Sequence, residues 1–141
     1  MVNYGIEIED YDGASTAEIV GNEIHNCDNT HPSPLWSSAA IIVDIWRAYY
    51  DLPLSTVSIV KNAIHDNYEA IEIVSGNLSY AHYNNIYDNK YGVWNWPDLY
   101  GNNGAFDASF NWWGHETGPY HNSSWTYKAV HMGLTMDKAI T

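Results

Sequence analysis

Short runs of the chain alternate apolar and polar residues at every second position. Gly5-Ile6-Glu7-Ile8 shows this alternation, and Ala70-Ile71-Glu72-Ile73 repeats its order of small, apolar, acidic and apolar residues. Ala40-Ile41-Ile42-Val43 and Gly92-Val93-Trp94 are looser copies. A period of two is that of a β-strand, and β-branched residues favour strands. We therefore predict that each run forms one strand.

A second phrase begins with asparagine and alternates with the first along the chain. Its copies start at Asn22, Asn62 and Asn84, and a looser copy starts at Asn111. Asn62 and Asn84 are 22 residues apart, and the first phrase recurs once at the same interval. Periods of roughly 20–50 residues are typical of solenoids, in which each repeat buries its apolar face against its neighbours. We predict an all-β parallel β-helix of about four coils, with loops inserted where the intervals are longer.

The asparagines that open the second phrase are predicted to stack in a column at one corner. Equivalent residues of adjacent coils lie about 4.8 Å apart, so stacked amides can form a hydrogen-bonded ladder. Asparagine also tolerates the left-handed backbone of a sharp corner. Four asparagines are interpreted as this structural ladder: Asn22, Asn62, Asn84 and Asn111. Three isoleucines, two residues further on, are expected to point inward in one stack: Ile24, Ile64 and Ile86.

A family resemblance rests on the run Phe106-Asp107-Ala108-Ser109-Phe110-Asn111-Trp112-Trp113-Gly114, followed by Thr117-Gly118-Pro119-Tyr120. It resembles a motif of right-handed parallel β-helix surface proteins of archaea and bacteria, where Asn-Trp-Trp-Gly and a nearby Gly-Pro mark a late coil. The upstream asparagine phrases are similar to that family's carbohydrate-binding and sugar-hydrolase repeats. The resemblance covers about residues 4 to 121. It implies a right-handed coil, an extracytoplasmic location and contact with glycans or the cell envelope, but no single activity.

The chain, residues 1–141, is predicted to be a single β-helix domain that forms part of a longer solenoid. The pattern begins by Tyr4, which leaves no room for an N-terminal cap, and exposed strand edges need a cover. We expect upstream coils of the same protein, or a second copy docked head to tail, to cover the first coil. Residues 123–141 are predicted to add a C-terminal strand and cap.

The charge and composition exclude several classes of function. Acidic residues outnumber basic ones 17 to 5, giving a formal charge of −12. This field repels nucleic acid and anionic membranes, and no apolar run approaches the ~20 residues that cross a bilayer. Cys27 is the only cysteine, so no internal disulfide forms. Residues 1–5 lack the regions of a signal peptide, so we expect the signal of an exported protein to lie upstream.

The aromatic residues suggest a glycan-binding site, because the chain has 7 Trp and 12 Tyr. A sugar ring can stack its C–H face on an indole while neighbouring amides and carboxylates bind its hydroxyls. The candidate glycan-binding residues are Trp94, Trp96, Asp98, Tyr100 and Asn102. The alternative is that such rings cover the core, and we expect Trp112 and Trp113 to pack in this way.

Paired carboxylates raise the alternative of a polysaccharide lyase or glycoside hydrolase. Glu7 and Glu72 share one repeat position, and Asp66 and Asp88 share one corner. A hydrolase needs two carboxyls roughly 5–10 Å apart. Equivalent residues of any solenoid stack, however, so we interpret these acids as solvated groups at sheet edges. We therefore assign no catalytic residue.

Histidines raise the question of a metal site. His25 and His65 share a repeat position, with Tyr87 in the next coil, but no His-x-x-x-His or Cys-x-x-Cys spacing occurs. We predict no cofactor and no metal ligand, with calcium on acidic loops as the alternative. Cys27 takes the place that asparagine has in later copies and is interpreted as a small buried replacement.

These observations favour a non-catalytic extracellular or cell-surface segment with a structural, adhesive or glycan-binding role. The expected partners are glycans, cell-envelope components and neighbouring coils. Two sequons mark candidate glycosylation sites at Asn77 and Asn122. Besides the enzyme, one further alternative is a self-assembling subunit that stacks end to end into a filament.

Overall fold

The computed structural model describes residues 3–10, 16–28, 38–45, 56–73, 79–95, 106–116 and 118. Strands account for the regular structure of this part of the chain, which contains no helix and hence none that could cross a membrane. The strands are β1 (Ile6–Asp10), β2 (Thr16–Val20), β3 (Glu23–His25), β4 (Ala39–Ile45), β5 (Thr56–Val60), β6 (Ala63–His65), β7 (Glu69–Ile73), β8 (Tyr80–His82), β9 (Asn85–Tyr87) and β10 (Tyr91–Asn95).

These strands form three parallel sheets, and each pass of the chain adds one strand to each sheet. Sheet A has the order β1-β4-β7-β10, sheet B the order β2-β5-β8, and sheet C the order β3-β6-β9. Parallel bridges from Tyr80 to Asp107 and from Asn85 to Trp112 carry sheets B and C into the fourth pass. The all-β prediction is confirmed for the described residues, and the arrangement is consistent with a parallel β-solenoid.

One hydrophobic core lies between the sheets, because its members come from all three. Ile41 and Ile71 belong to sheet A, Ile59 belongs to sheet B, and all three are fully buried. The predicted isoleucine stack lies in sheet C, where Ile64 is the register partner of both Ile24 and Ile86. Each fully buried isoleucine contributes about 1.5–3 kcal/mol relative to an exposed one. The stack therefore fixes which face of sheet C points inward.

The four ladder asparagines follow the corner between sheets B and C and are joined by hydrogen bonds. The Nδ2 of Asn22 donates to the Oδ1 of Asn62 at 3.1 Å, and the Nδ2 of Asn62 donates to the Oδ1 of Asn84 at 3.0 Å. The Nδ2 of Asn84 donates to the Oδ1 of Asn111 at 2.9 Å. Each accepting oxygen also receives the backbone N–H of the preceding asparagine in the column, at 2.9 Å. The column therefore ties all four passes together.

The left-handed residue of this corner is not the asparagine but the residue before it. Gly21, Lys61, Tyr83 and Phe110 have φ values of 70°, 58°, 59° and 60°, whereas none of the ladder asparagines has a positive φ. The idea that asparagine recurs here for its tolerance of left-handed backbone is therefore wrong. The amide is retained for its hydrogen bonds along the column.

A second column stands at the corner between sheets C and A. The backbone N–H of Cys27 donates to the Oδ1 of Asn67 at 3.0 Å, and the Nδ2 of Asn67 donates to the Oδ1 of Asn89 at 2.8 Å. Cys27 is buried, and this burial raises the pKa of its thiol, with Asp28 adding to the rise. A thiol with a raised pKa is a poor nucleophile, so the geometry agrees with a structural role for Cys27.

Candidate functional site

A shallow groove runs along the outward face of sheet C and the adjoining corner. Two adjacent cavities of about 500 and 520 Å³ form it, and they share Asn85. We call this surface the sheet C groove. Its first half includes Glu23, Lys61, Tyr83 and Asn85. Its second half includes Asn85, Tyr87, Asp88 and Trp112.

Strand alternation places the lining residues of the groove. Strands β3, β6 and β9 have three residues each, and the central isoleucine of each points into the core. The residues on either side of it must therefore point outward. One outward column, formed by register partners, consists of Glu23, Ala63, Asn85 and Trp112. The other outward column consists of His25, His65 and Tyr87.

Three large rings are exposed at the groove or at the corner beside it: Tyr83 lines the first half, Trp112 lines the second half, and Phe110 stands at the corner. The exposed fractions are 50% for Trp112, 60% for Tyr83 and 70% for Phe110. The rings of Tyr83 and Phe110 stack, with centroids 5.7 Å apart and planes inclined by 16°. The expectation that Trp112 packs on the core is wrong, because Trp112 occupies the outward column. Its neighbour Trp113 is buried in the core, as expected.

Rings also stack along the second outward column. The centroids of His25 and His65 are 5.3 Å apart, and those of His65 and Tyr87 are 4.8 Å apart. The Nδ1 of His65 lies 2.7 Å from the Oδ2 of Asp66, and its Nε2 lies 3.2 Å from the Oε1 of Glu23. The hydrogen bond to Asp66 raises the pKa of His65, desolvation opposes the rise, and the hydrogen bond to Glu23 adds to it. His65 therefore contacts the Glu23 carboxylate, which lines the first half of the groove.

Ser109, His82 and Asp107 come together on sheet B but do not form a catalytic triad. The Oγ of Ser109 lies 3.3 Å from the Nε2 of His82, and the Oδ2 of Asp107 lies 2.9 Å from the same nitrogen. A triad needs the hydroxyl and the carboxylate on opposite nitrogens of the imidazole. The backbone N–H of Ser109 is the main cause that lowers the pKa of Asp107, and His82 lowers it further. This arrangement is a side-chain contact that joins His82 of β8 to Asp107 and Ser109 of the fourth pass.

Of the carboxylates singled out from the sequence, Glu7 and Glu72 are not direct neighbours on sheet A. The register places Ile42 between Glu7 and Glu72, which puts their Cα atoms two strand spacings apart, about 9.6 Å. Glu7 is exposed, whereas Glu72 is buried beside its register partner Trp94. Within the described ranges no group of three or more His, Cys, Asp or Glu could hold a metal ion. Calcium on acidic loops stays a prediction.

The glycan-binding residues proposed from the sequence are only partly within the described residues. Trp94 lies in β10, is 8% exposed and contacts the edge of the Tyr91 ring with centroids 5.7 Å apart. The other four lie outside the described residues: Trp96, Asp98, Tyr100 and Asn102. The sequons at Asn77 and Asn122 and the proposed cap, residues 123–141, also lie outside them. These assignments stay predictions.

Sequence reasoning missed Tyr83 and Phe110. The available signal was their position, since each directly precedes an asparagine that opens a repeat phrase, where Gly21 and Lys61 stand in the earlier copies. A residue at a sharp corner points away from the core, so a large ring at that position is exposed. Trp112 could have been found by the same alternation that places Trp113 inward.

No protein-family model, curated protein or solved structure matches the chain. The strand pairing of the described residues therefore stands alone, and it gives an all-β arrangement of stacked parallel sheets in that part of the chain.

Proposed function

We propose that the chain is a right-handed parallel β-helix segment of an extracellular or cell-surface protein, and that it binds a glycan in the sheet C groove without catalysis. The right-handed coil is supported by the general preference of parallel crossover connections for that hand. Strands β1, β2 and β3 lie at the edges of their sheets. As part of the same proposal, upstream coils or a second copy of the chain cover these exposed strand edges.

The observation that carries the proposal is the half-exposed indole of Trp112 at one end of a polar groove. A group of exposed apolar side chains bordered by polar residues is typical of a binding surface, and Trp112 has exposed Tyr83 and Phe110 at the neighbouring corner. The amide of Asn85, its register partner, lies in the same outward column, and Asp88 lines the same half of the groove. A sugar needs this combination, because one face of its ring is apolar and its rim carries hydroxyls that donate and accept hydrogen bonds.

The absence of catalysis in the proposal is supported by the contacts and the exposure of the two acidic residues that line the groove. Glu23 is engaged by His65, and Asp88 occupies a corner with a φ of 53°. Acid–base hydrolysis needs one carboxyl in a desolvated site. Glu23 and Asp88 are both exposed and therefore lack that desolvation.

The test is affinity electrophoresis of the chain through gels that contain soluble polysaccharides, followed by calorimetry with the glycan that retards it. Trp112→Ala is expected to weaken binding about tenfold or more, which corresponds to about 1.4 kcal/mol. Val20→Ala is the matched control, because Val20 is an exposed apolar residue that does not line the groove. Absence of retardation by any glycan, or equal affinities of the two variants, would contradict the proposal.

A further inference from the structure

Tyr83 and Phe110 combine a backbone conformation that disfavours them with side chains that remain exposed. Their φ values of 59° and 60° lie in the left-handed region, where a bulky residue is an outlier. Glycine adopts this region without a steric penalty, and Gly21 does so at the equivalent corner of the first pass. The fold therefore does not require an aromatic residue at this corner.

The two rings bury little surface, so their packing contributes little to the stability of the fold. They are 60% and 70% exposed, and neither belongs to the hydrophobic core. Their described ring contacts are with each other and with the edge of His82, whose centroid is 6.1 Å from that of Tyr83 and 5.6 Å from that of Phe110. Gly21 and Lys61 have the same left-handed backbone at the equivalent corner, so the turn belongs to the fold, whereas an aromatic side chain at that turn does not. A role outside folding is thus the better explanation for the pair.

The pair also borders the site already described. Tyr83 lines the first half of the sheet C groove, and Trp112 in its second half comes two residues after Phe110. The corner residues and the outward residues of sheet C form two columns that run in the same direction. Within each column, equivalent residues of successive passes lie one strand spacing apart, about 4.8 Å. Tyr83 and Phe110 at the corner and Trp112 in the neighbouring outward column therefore bring three exposed aromatic side chains together in the third and fourth passes.

The charges around the groove limit the chemistry of a ligand. Glu23 and Asp88 line it together with the cation Lys61, and the whole chain carries a formal charge of −12. A uronate or a sulfated sugar would meet repulsion there. An uncharged sugar would not, and it could use the same carboxylates as acceptors for its hydroxyls.

We propose that the stacked Tyr83–Phe110 pair is a platform for the ring faces of an uncharged glycan that lies across the strands of sheet C. The inference rests on the proposed function and adds to it two contact residues and the charge class of the ligand. In this arrangement the hydroxyls of the glycan face Asn85 and Glu23, and the C–H faces of its sugar rings pack on Tyr83 and Phe110.

The test compares stability and binding in Tyr83→Gly and Phe110→Gly. Glycine relieves the left-handed backbone, so thermal unfolding is expected at or above the wild-type temperature in both variants. Affinity for a neutral polysaccharide is expected to fall at least tenfold in calorimetry. Asn26→Gly is the matched control, because Asn26 has a φ of 62° and lies outside the groove. This control is expected to bind as the wild type does.

Each outcome has one meaning. Weaker binding with unchanged or raised stability supports the platform. Wild-type affinity in both variants overturns it while leaving the proposed function standing on Trp112. A large loss of stability in both variants, with the control unaffected, shows that the pair is structural and also overturns it. If the wild type prefers a uronate-containing or sulfated polysaccharide, the proposal that the ligand is uncharged is wrong. If it binds no glycan, the proposed function itself is contradicted.

Discussion

Replacing Asn84 by alanine tests the hydrogen-bonded column that joins the four passes. Asn84 is 1% exposed. Its Oδ1 accepts the backbone N–H of Asn62 at 2.9 Å and the Nδ2 of Asn62 at 3.0 Å. Its own Nδ2 donates to the carbonyl of Ile59 at 2.8 Å and to the Oδ1 of Asn111 at 2.9 Å. Alanine removes all of these contacts together.

The expected loss follows from the groups that the substitution leaves without a partner. The Oδ1 of Asn111 still accepts the backbone N–H of residue 84, at 2.9 Å. The backbone N–H of Asn62 loses its acceptor, and the carbonyls of Ile59 and His82 each lose a donor. The Nδ2 of Asn62 keeps the carbonyls of Ile19 and Val60 as acceptors. An unsatisfied buried group costs about 1–3 kcal/mol, and water entering the vacated space recovers part of that. The free energy of unfolding should therefore fall by about 3–5 kcal/mol, a large share of the 5–15 kcal/mol typical of a domain.

Urea unfolding followed by tryptophan fluorescence measures this loss. The neighbouring residue is the matched control, because Asn85 is the same type of residue but exposed, and Asn85→Ala should change stability by no more than about 0.5 kcal/mol. Asn111 is only partly buried, so Asn111→Ala should cost less, about 1–3 kcal/mol, and provides a measurement if the Asn84 variant does not fold. A difference below about 1 kcal/mol between Asn84→Ala and Asn85→Ala would refute the role of the column.

Two further predictions concern His65 and Gly5. The raised pKa of His65 means that its contribution to stability is fully present below its ordinary pKa of 6.5 and is lost as the pH rises through the raised value. Urea unfolding at pH 5.5 and 8.5 should therefore show a smaller pH dependence in His65→Asn than in the wild type, and equal dependence would argue against the paired imidazole. A Cβ at Gly5 would lie 2.7 Å from the carbonyl oxygen of Ala40 and 2.7 Å from the Cγ2 of Ile24. Gly5→Ala should therefore lower the free energy of unfolding by about 1–3 kcal/mol, and a melting temperature unchanged from wild type would contradict the close approach of the first two passes.

The repeat could be predicted because equivalent residues of successive passes are separated by the same number of residues wherever no loop is inserted. The 22-residue interval between Asn62 and Asn84 is the length of a pass without insertions, so residues at that interval become register neighbours. The inward direction of Ile64 and Ile86 follows from the same spacing. Longer insertions elsewhere left the phrases intact, so Asn22 could still be aligned with Asn62.

Corner conformations could not be predicted in this way. The left-handed region is filled by Lys61, Tyr83 and Phe110, residue types that do not favour it, because the stack of coils imposes the turn on whatever residue stands there. Local preference pointed instead to the asparagine one position later. The exposed aromatic pair of the candidate site was missed for this reason.

Burial on the outer face of sheet A also lies beyond sequence periodicity. Ile42, Glu72 and Trp94 alternate away from the core and share one register, yet all three are buried. A period of two shows which side of a strand a residue occupies, whereas its exposure depends on the tertiary packing against that side. The prediction of Trp94 as a glycan-binding residue depends on its neighbours along the chain, and the alternation gives no information on its exposure.

The sheet C groove as a glycan-binding surface is tested most directly by mapping a bound neutral glycan on the ¹⁵N-labelled chain by NMR. The indole Nε1–H of Trp112, assigned with the Trp112→Ala variant, and the backbone amides of Tyr83, Asn85 and Phe110 should shift together along one binding curve. The amides of β1 and β4 on sheet A should not move. Shifts centred on Trp94 and sheet A, or no shift at any concentration of glycan that the gels identify, would contradict the account.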